Sequence, residues 1–103
     1  MSEKTENIED LKPTHLQCRD LGHRWHKLNT EEAQLEGINK KPLFGVRRVT
    51  RCTICRTVRI ELINTYGYVE SRHYKYPDGY GLENSVRGKA AYRVEMMKRE
   101  GLL

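Results

Sequence analysis

Four side chains with soft or borderline donor atoms occur in two short pairs along this chain of 103 residues. One pair is Cys18 and His23, in the stretch Cys-Arg-Asp-Leu-Gly-His, and the other is Cys52 and Cys55, in Cys-Thr-Ile-Cys. Thiolates and imidazoles are the ligands of tetrahedral zinc, and a Cys-x-x-Cys turn aims two of them at one metal ion. The sequence therefore predicts a structural Zn²⁺ site formed by Cys18, His23, Cys52 and Cys55.

Two alternatives to this ligand set stay open at the level of sequence. His26 follows His23 closely enough to replace it as the fourth ligand after a small shift in register. Cys52 and Cys55 are also spaced like a redox-active pair, although the strand–helix context of a thioredoxin-like fold is missing. A complete disulfide framework is excluded because the chain has three cysteines, an odd number.

The second chemical pattern is a series of basic residues interleaved with tyrosines. Fourteen basic and six acidic residues from Lys40 onward give a net charge of +8, whereas the preceding part has five and eight, a net of −3. Arginine forks bind phosphates and phenol rings stack on splayed bases, so we predict nucleic-acid binding, in the first place to DNA. A solvated sheet face is the alternative, but such a face usually mixes both signs of charge. The predicted nucleic-acid contacts are Arg47, Arg48, Arg59, Arg72, Tyr74, Lys75 and Tyr76.

Catalytic patterns are scarce in this sequence. It has no Ser-His-Asp pattern, no paired acids and no glycine-rich phosphate loop, and all three cysteines are assigned to the metal. We therefore predict that the protein is not an enzyme and has no small-molecule substrate. We also expect no membrane association and a cytoplasmic location, because no run of about 18 apolar residues occurs and the thiols must stay reduced.

The elements that must position these residues predict an α+β fold. We expect a flexible tail over residues 1–12, followed by a zinc-ribbon-like domain over 13–103 with a three- to four-stranded antiparallel sheet and a C-terminal helix. Alternation of side chains and turn residues indicates the strands, and a run of good helix formers indicates the final helix. The predicted segments are strands at Thr14–Gln17, Leu43–Arg51, Thr57–Ile63 and Tyr68–Tyr76, a short helix at Glu31–Leu35, and a helix at Lys89–Glu100.

Three segments together resemble the small zinc-ribbon proteins carried by bacteriophages of actinobacteria. They are Cys-Arg-Asp-Leu-Gly-His-Arg-Trp at Cys18–Trp25, Arg-Cys-Thr-Ile-Cys at Arg51–Cys55, and Arg-His-Tyr-Lys-Tyr-Pro-Asp-Gly-Tyr at Arg72–Tyr80. The resemblance implies a zinc-stabilised accessory protein that is DNA-associated or host-directed and acts in the cytoplasm of an infected bacterium. The alternative function is a protein-interaction module that binds a host enzyme or transcription factor through the Tyr-rich sheet or the Met96–Met97 helix.

Overall fold

A computed structural model describes residues 3–36, 42–84 and 88–103 of the chain. It has the predicted α+β class, with a four-stranded antiparallel sheet and a C-terminal helix. Within the described residues, no helix combines the length and the apolar character needed to cross a membrane. In chain order the elements are a 3-10 helix (Ile8–Asp10), α1 (Pro13–Leu21), β1 (Trp25–Glu36), β2 (Pro42–Cys52), β3 (Val58–Asn64), β4 (Val69–Lys75) and α2 (Ala90–Arg99).

The chain divides into two compact units. The sheet unit contains Trp25–Cys52 and Thr57–Lys75. The helical unit contains Met1–Arg24, Thr53–Arg56 and Tyr76–Leu103.

The strands of the sheet unit follow one another in the order β1-β2-β3-β4, and each pairs antiparallel with its neighbour. Arg48 of β2 lies opposite Glu61 of β3, which in turn lies opposite Arg72 of β4. Since side chains alternate between the two faces of a strand, these three residues share one face of the sheet. Strands β2, β3 and β4 confirm the alternating patterns predicted from the sequence, and each end differs from its predicted position by one residue.

The prediction of a short helix at Glu31–Leu35 is wrong, because this segment belongs to the long strand β1. Glu31 pairs with Arg47 of β2, so partners distant in the sequence supply the backbone hydrogen bonds. A single helical turn has a costly nucleus and cannot compete with such pairing. Leu35 is buried and packs closely on β2, where a Cβ atom on Gly45 would lie 2.5 Å from the Leu35 Cδ1 atom. The missing side chain of Gly45 thus allows the close approach of β1.

The strand predicted at Thr14–Gln17 is also wrong, because these residues lie in helix α1. Pro13 occupies the start of the helix, where its fixed φ is favourable and its missing N–H has no cost. Gly22 ends the helix with φ 92° and donates its N–H to the carbonyl of Cys18. The helix buries Leu16 in a small apolar core with Leu11 and Tyr92, against which Ile8, Leu82 and Met96 pack.

Residues 3–12, part of the predicted flexible tail, make defined contacts in the helical unit. Thr5 forms a parallel bridge with Leu82, and its N–H donates to the carbonyl of Gly81 at 2.7 Å. Leu11 is buried in the core. Whether this segment is mobile in solution stays a prediction.

Candidate metal centre and basic sheet face

The first pair of predicted ligands lies at the end of helix α1. Cys18 is in the last turn of the helix and is buried, and Gly22 turns the chain immediately before His23. The sequence predicted a strand, Thr14–Gln17, immediately before this pair. A helix end followed by a glycine turn brings the thiol and the imidazole together instead.

The second pair flanks the turn between β2 and β3. Cys52 is the last residue of β2, and its N–H donates to the carbonyl of Thr57 at 2.8 Å. The chain reverses at Arg56, whose φ of 69° makes it the one non-glycine residue with positive φ in the described part of the chain. An L-residue in this conformation costs roughly 1–2 kcal/mol relative to a right-handed one. The closed turn keeps Cys52 and Cys55 buried.

The four predicted ligands form one cluster. The ligand atoms of Cys18, His23, Cys52 and Cys55 all lie within 4.8 Å of one another, and the Cys55 Sγ atom is 3.3 Å from His23 Nδ1. Tetrahedral zinc, with bonds of about 2.3 Å to sulfur and about 2.0 Å to nitrogen, separates its ligand atoms by about 3.5–3.8 Å. The donor set and its spacing therefore fit a tetrahedral metal ion.

The alternative ligand His26 does not join this cluster. His26 is exposed in strand β1, where it pairs with Arg51 of β2, and the cluster contains His23 instead. None of the three cysteines, all of which are described, forms a disulfide. The cluster is thus a possible metal site with three sulfur donors and one nitrogen donor.

Tyr80 is a part of this centre that the sequence patterns did not single out. Its hydroxyl is 3.2 Å from His23 Nε2, and its ring stacks on the imidazole with centroids 5.7 Å apart. Burial raises the pKa of Tyr80 despite the opposing effect of Arg19. With Nδ1 facing the Cys55 sulfur and Nε2 facing the phenol, the imidazole is oriented as a metal ligand supported by an outer hydrogen bond. In the sequence, Tyr80 is the last residue of the turn Pro-Asp-Gly-Tyr, which closes the segment Arg72–Tyr80.

Arg19 holds Tyr80 in its place. It donates from Nε and Nη2 to the Tyr80 carbonyl and lies over the phenol ring at 4.4 Å. Its Nη1 group also approaches the hydroxyl of Tyr92, at 3.4 Å. One guanidinium thereby connects helix α1 to the Tyr80 turn and to helix α2.

A second cluster lies on one face of the sheet unit, around the fully buried Glu61. Arg48 donates to its Oε1 atom at 3.2 and 2.8 Å, and Arg72 donates to its Oε2 atom at 3.0 and 2.8 Å. Arg59 adds an ion pair at 3.5 Å. We refer to Glu61, Arg48, Arg59 and Arg72 as the Glu61 cluster. Three guanidiniums and one carboxylate leave it a net charge of +2.

The ionisation of Glu61 is set by these contacts. Burial alone would raise the pKa of this carboxyl, but the hydrogen bonds from Arg48 and Arg72 and the charge of Arg59 outweigh it and bring the pKa below its ordinary value. The pKa of Arg72 is raised, chiefly by its hydrogen bond to Glu61. Glu61 and Arg72 therefore form a charged pair at neutral pH.

An aromatic pair adjoins the Glu61 cluster on the same face. The Arg59 guanidinium lies 4.3 Å from the centre of the Trp25 ring, and Tyr74 lies next to Trp25 with ring centroids 6.2 Å apart. Arg59 is also hydrogen-bonded to the hydroxyl of Thr50 at 3.3 Å. Charged and aromatic groups thus meet on one surface of the sheet.

The predicted nucleic-acid contacts are divided among different surfaces. Arg48, Arg59, Arg72 and Tyr74 share the face of the Glu61 cluster. Arg47 and Lys75 alternate onto the opposite face, where Arg47 forms an ion pair with Glu31 at 3.0 Å. Tyr76 stacks on Tyr80 in the helical unit, at 5.0 Å between ring centroids. Whether any of these residues binds nucleic acid stays a prediction.

Comparison with protein-family models, with curated proteins and with solved structures found no significant match.

Proposed function

We propose that this protein is a zinc-stabilised, non-catalytic nucleic-acid-binding protein, with DNA as the expected ligand and an accessory or regulatory role. The observation that carries the proposal is the sheet face on which a cluster of net charge +2 adjoins Trp25 and Tyr74. Proteins that bind nucleic acid combine such basic groups, which contact phosphates, with aromatic rings, which stack on bases.

Zinc is the metal that the donor set favours. Three thiolates and one imidazole at these distances match the Cys₃His type of structural zinc site, which has no open position for a substrate. Cys18, His23, Cys52 and Cys55 would hold the ion, and Tyr80 would orient His23. A zinc-ribbon-like architecture is part of this proposal, because the Cys52–Cys55 turn joins two neighbouring antiparallel strands.

Structural zinc also gives the chain a way to offset its sparse core. The apolar cluster described in the helical unit contains three buried residues and three partly buried ones. Zinc binding contributes about 10–16 kcal/mol in finger peptides, far more than a core of this size. The metal would therefore stabilise the fold and leave the recognition of a ligand to the sheet.

The absence of catalysis and an origin in a bacteriophage remain parts of the proposal. The three cysteines all belong to the metal cluster. Two acids near His73 in the sequence have other partners, since Glu70 accepts a hydrogen bond from Asn64 and Asp78 accepts one from the Glu3 amide. The phage origin rests on the sequence resemblance alone.

Two measurements on the purified protein test this proposal. We expect about one zinc ion per chain, and we expect Cys52→Ser to lose both the metal and the native near-UV spectrum. Binding to DNA and RNA is then measured over a salt series, in which the affinity should fall steeply as salt rises. Zinc-loaded protein that binds neither DNA nor RNA at low salt would refute the nucleic-acid function.

Exposed aromatic side chains favour a second candidate, a module that binds a host enzyme or transcription factor. Phe44 at the start of β2, and Tyr66 and Tyr68 at the β3–β4 turn, are all exposed. Aromatic residues are enriched in the centres of protein interfaces. Met96 packs against the helical core, so of the proposed Met96–Met97 pair only Met97 is exposed. Isolation of one stoichiometric protein partner by a protein that ignores nucleic acid would support this candidate.

A further inference from the structure

In the Glu61 cluster, Arg48 and Arg72 bind the carboxylate with one part of the guanidinium and expose another part to solvent. Arg48 and Arg72 each bind the carboxylate through Nε and Nη2, which uses one edge of each guanidinium. Their side chains are still 40% and 44% exposed, so part of each guanidinium faces solvent and can meet a second acceptor, and Arg72 also hydrogen-bonds to Tyr74. Arg59, at 17% exposure, is largely covered by its neighbours. The two outer arginines are therefore the ones placed to meet an anion.

Glu61 restricts the motion of these side chains before any ligand binds. Arg48 donates two hydrogen bonds to one oxygen of this buried carboxylate and Arg72 donates two to the other, so Glu61 holds the two arginines on either side of it. A flexible arginine loses rotamer entropy when it binds a phosphate, and an arginine already held in place loses less. The remaining +2 charge supplies the attraction for a polyanion.

The aromatic component decides which form of nucleic acid fits. Tyr74 is two residues from Arg72 on the same strand and the same face, about 7 Å along the chain. Its side chain is 40% exposed. Bases inside a duplex are stacked on each other, so an aromatic ring gains a stacking partner only from an unpaired strand.

We infer that the face formed by Arg48, Arg72, Tyr74 and Trp25 binds single-stranded nucleic acid in preference to duplex. Phosphates contact Arg48 and Arg72, a base stacks on Tyr74, and Glu61 is a positioning residue for the two arginines. This inference rests on the proposed nucleic-acid function and names its substrate class.

Trp25 provides a direct readout, since it is the one tryptophan of the chain and lies beside Tyr74. The zinc-loaded protein is titrated with three probes of equal length: an oligothymidylate, an oligouridylate and a mixed-sequence duplex. Tryptophan fluorescence reports on the protein, and the fluorescence anisotropy of the labelled nucleic acid reports on binding. We expect at least one of the single strands to quench Trp25 and to bind roughly tenfold or more tightly than the duplex, the effect of stacking one base.

Matched variants locate the binding to this face. Tyr74→Ala should weaken single-strand binding about 5- to 100-fold, and Tyr66→Ala, at an exposed turn, should leave it unchanged. Arg72→Gln should reduce the salt slope by about one, whereas Arg47→Gln, on the opposite face, should not change it. Circular dichroism checks that each variant is folded. If Arg72→Gln destabilises the sheet, the Tyr74→Ala variant still measures the contribution of this face to binding, because Tyr74 is exposed.

The outcomes separate this inference from the proposed function. Equal affinity for duplex and single strands without quenching of Trp25, or equal effects of the Tyr74 and Tyr66 variants, would overturn the inference while the protein still binds nucleic acid. No binding to any of the three probes at low salt would refute the proposed function itself.

Discussion

Arg72 donates two hydrogen bonds, at 3.0 and 2.8 Å, to a single carboxylate oxygen of the fully buried Glu61. The two residues lie opposite each other on adjacent strands, and Arg48 makes the equivalent contact from the other side. A glutamate almost never occurs fully buried unless it is paired in this way. The stability of the sheet therefore depends on the ion pairs between the buried Glu61 carboxylate and the partly exposed guanidiniums of Arg48 and Arg72.

The first prediction concerns the contribution of the Glu61 carboxylate to stability. Glu61→Gln keeps the size of the side chain but removes the charge that binds three guanidiniums, so we expect a loss of about 1–3 kcal/mol in the free energy of unfolding. Urea denaturation measures it. The matched control is Glu31→Gln, which removes the exposed partner of Arg47 and should change stability by less than about 0.5 kcal/mol. Equal effects of the two substitutions would contradict a special role for Glu61.

The pH dependence of stability is governed by the lowered pKa of Glu61. A carboxyl with a lower pKa in the folded state binds fewer protons there, so its contribution is complete above the unfolded value of about 4.3 and is lost as the pH falls through the folded value. We therefore expect the stability gap between wild type and Glu61→Gln to shrink on acidification below about pH 4.3. Urea unfolding of both proteins at a series of pH values measures the gap. A gap that stays constant would show that the carboxylate is not the titrating group.

The identity of the fourth ligand is tested by the two histidines near the metal cluster. His23→Ala should lose the bound metal or hold it far more weakly, because the Nδ1 atom beside the Cys55 sulfur is removed. His26→Ala should retain about one metal ion per chain, since this residue is exposed in β1. Metal analysis after dialysis against a competing chelator, and the absorption bands of cobalt(II)-substituted protein, distinguish the two. Retention by His23→Ala and loss by His26→Ala would reverse the assignment.

A fourth prediction concerns Tyr80 as the outer partner of His23. Tyr80→Phe keeps the ring that stacks on His23 but removes the hydroxyl 3.2 Å from Nε2, so the metal affinity should fall about 10- to 100-fold without unfolding. Competition with a chromophoric chelator gives the affinity. Tyr76→Phe, a change on the ring that stacks against Tyr80, is the control and should leave the affinity unchanged. An unaltered affinity in Tyr80→Phe would show that the contact does not support the metal.

Several features of this protein could be predicted from the sequence because they depend on short-range chemistry. A period of two residues identified β2, β3 and β4, and a run of good helix formers identified α2. The donor types and the Cys-x-x-Cys spacing identified the four residues of the metal cluster.

Tertiary structure decided the rest, because the competing local preferences were weak or equal. Glu31–Leu35 is a strand only because β2 offers it backbone partners, and Pro13–Leu21 is a helix because that form buries Leu16 against Leu11 and Tyr92. The sequence marked Arg48, Arg59 and Arg72 as basic, but only strand register showed that they converge on Glu61 while Arg47 faces the other way. Glu61 can be buried as a charged group only because arginines from neighbouring strands pair with it. The sequence of a single strand does not show which residues of the neighbouring strands these will be.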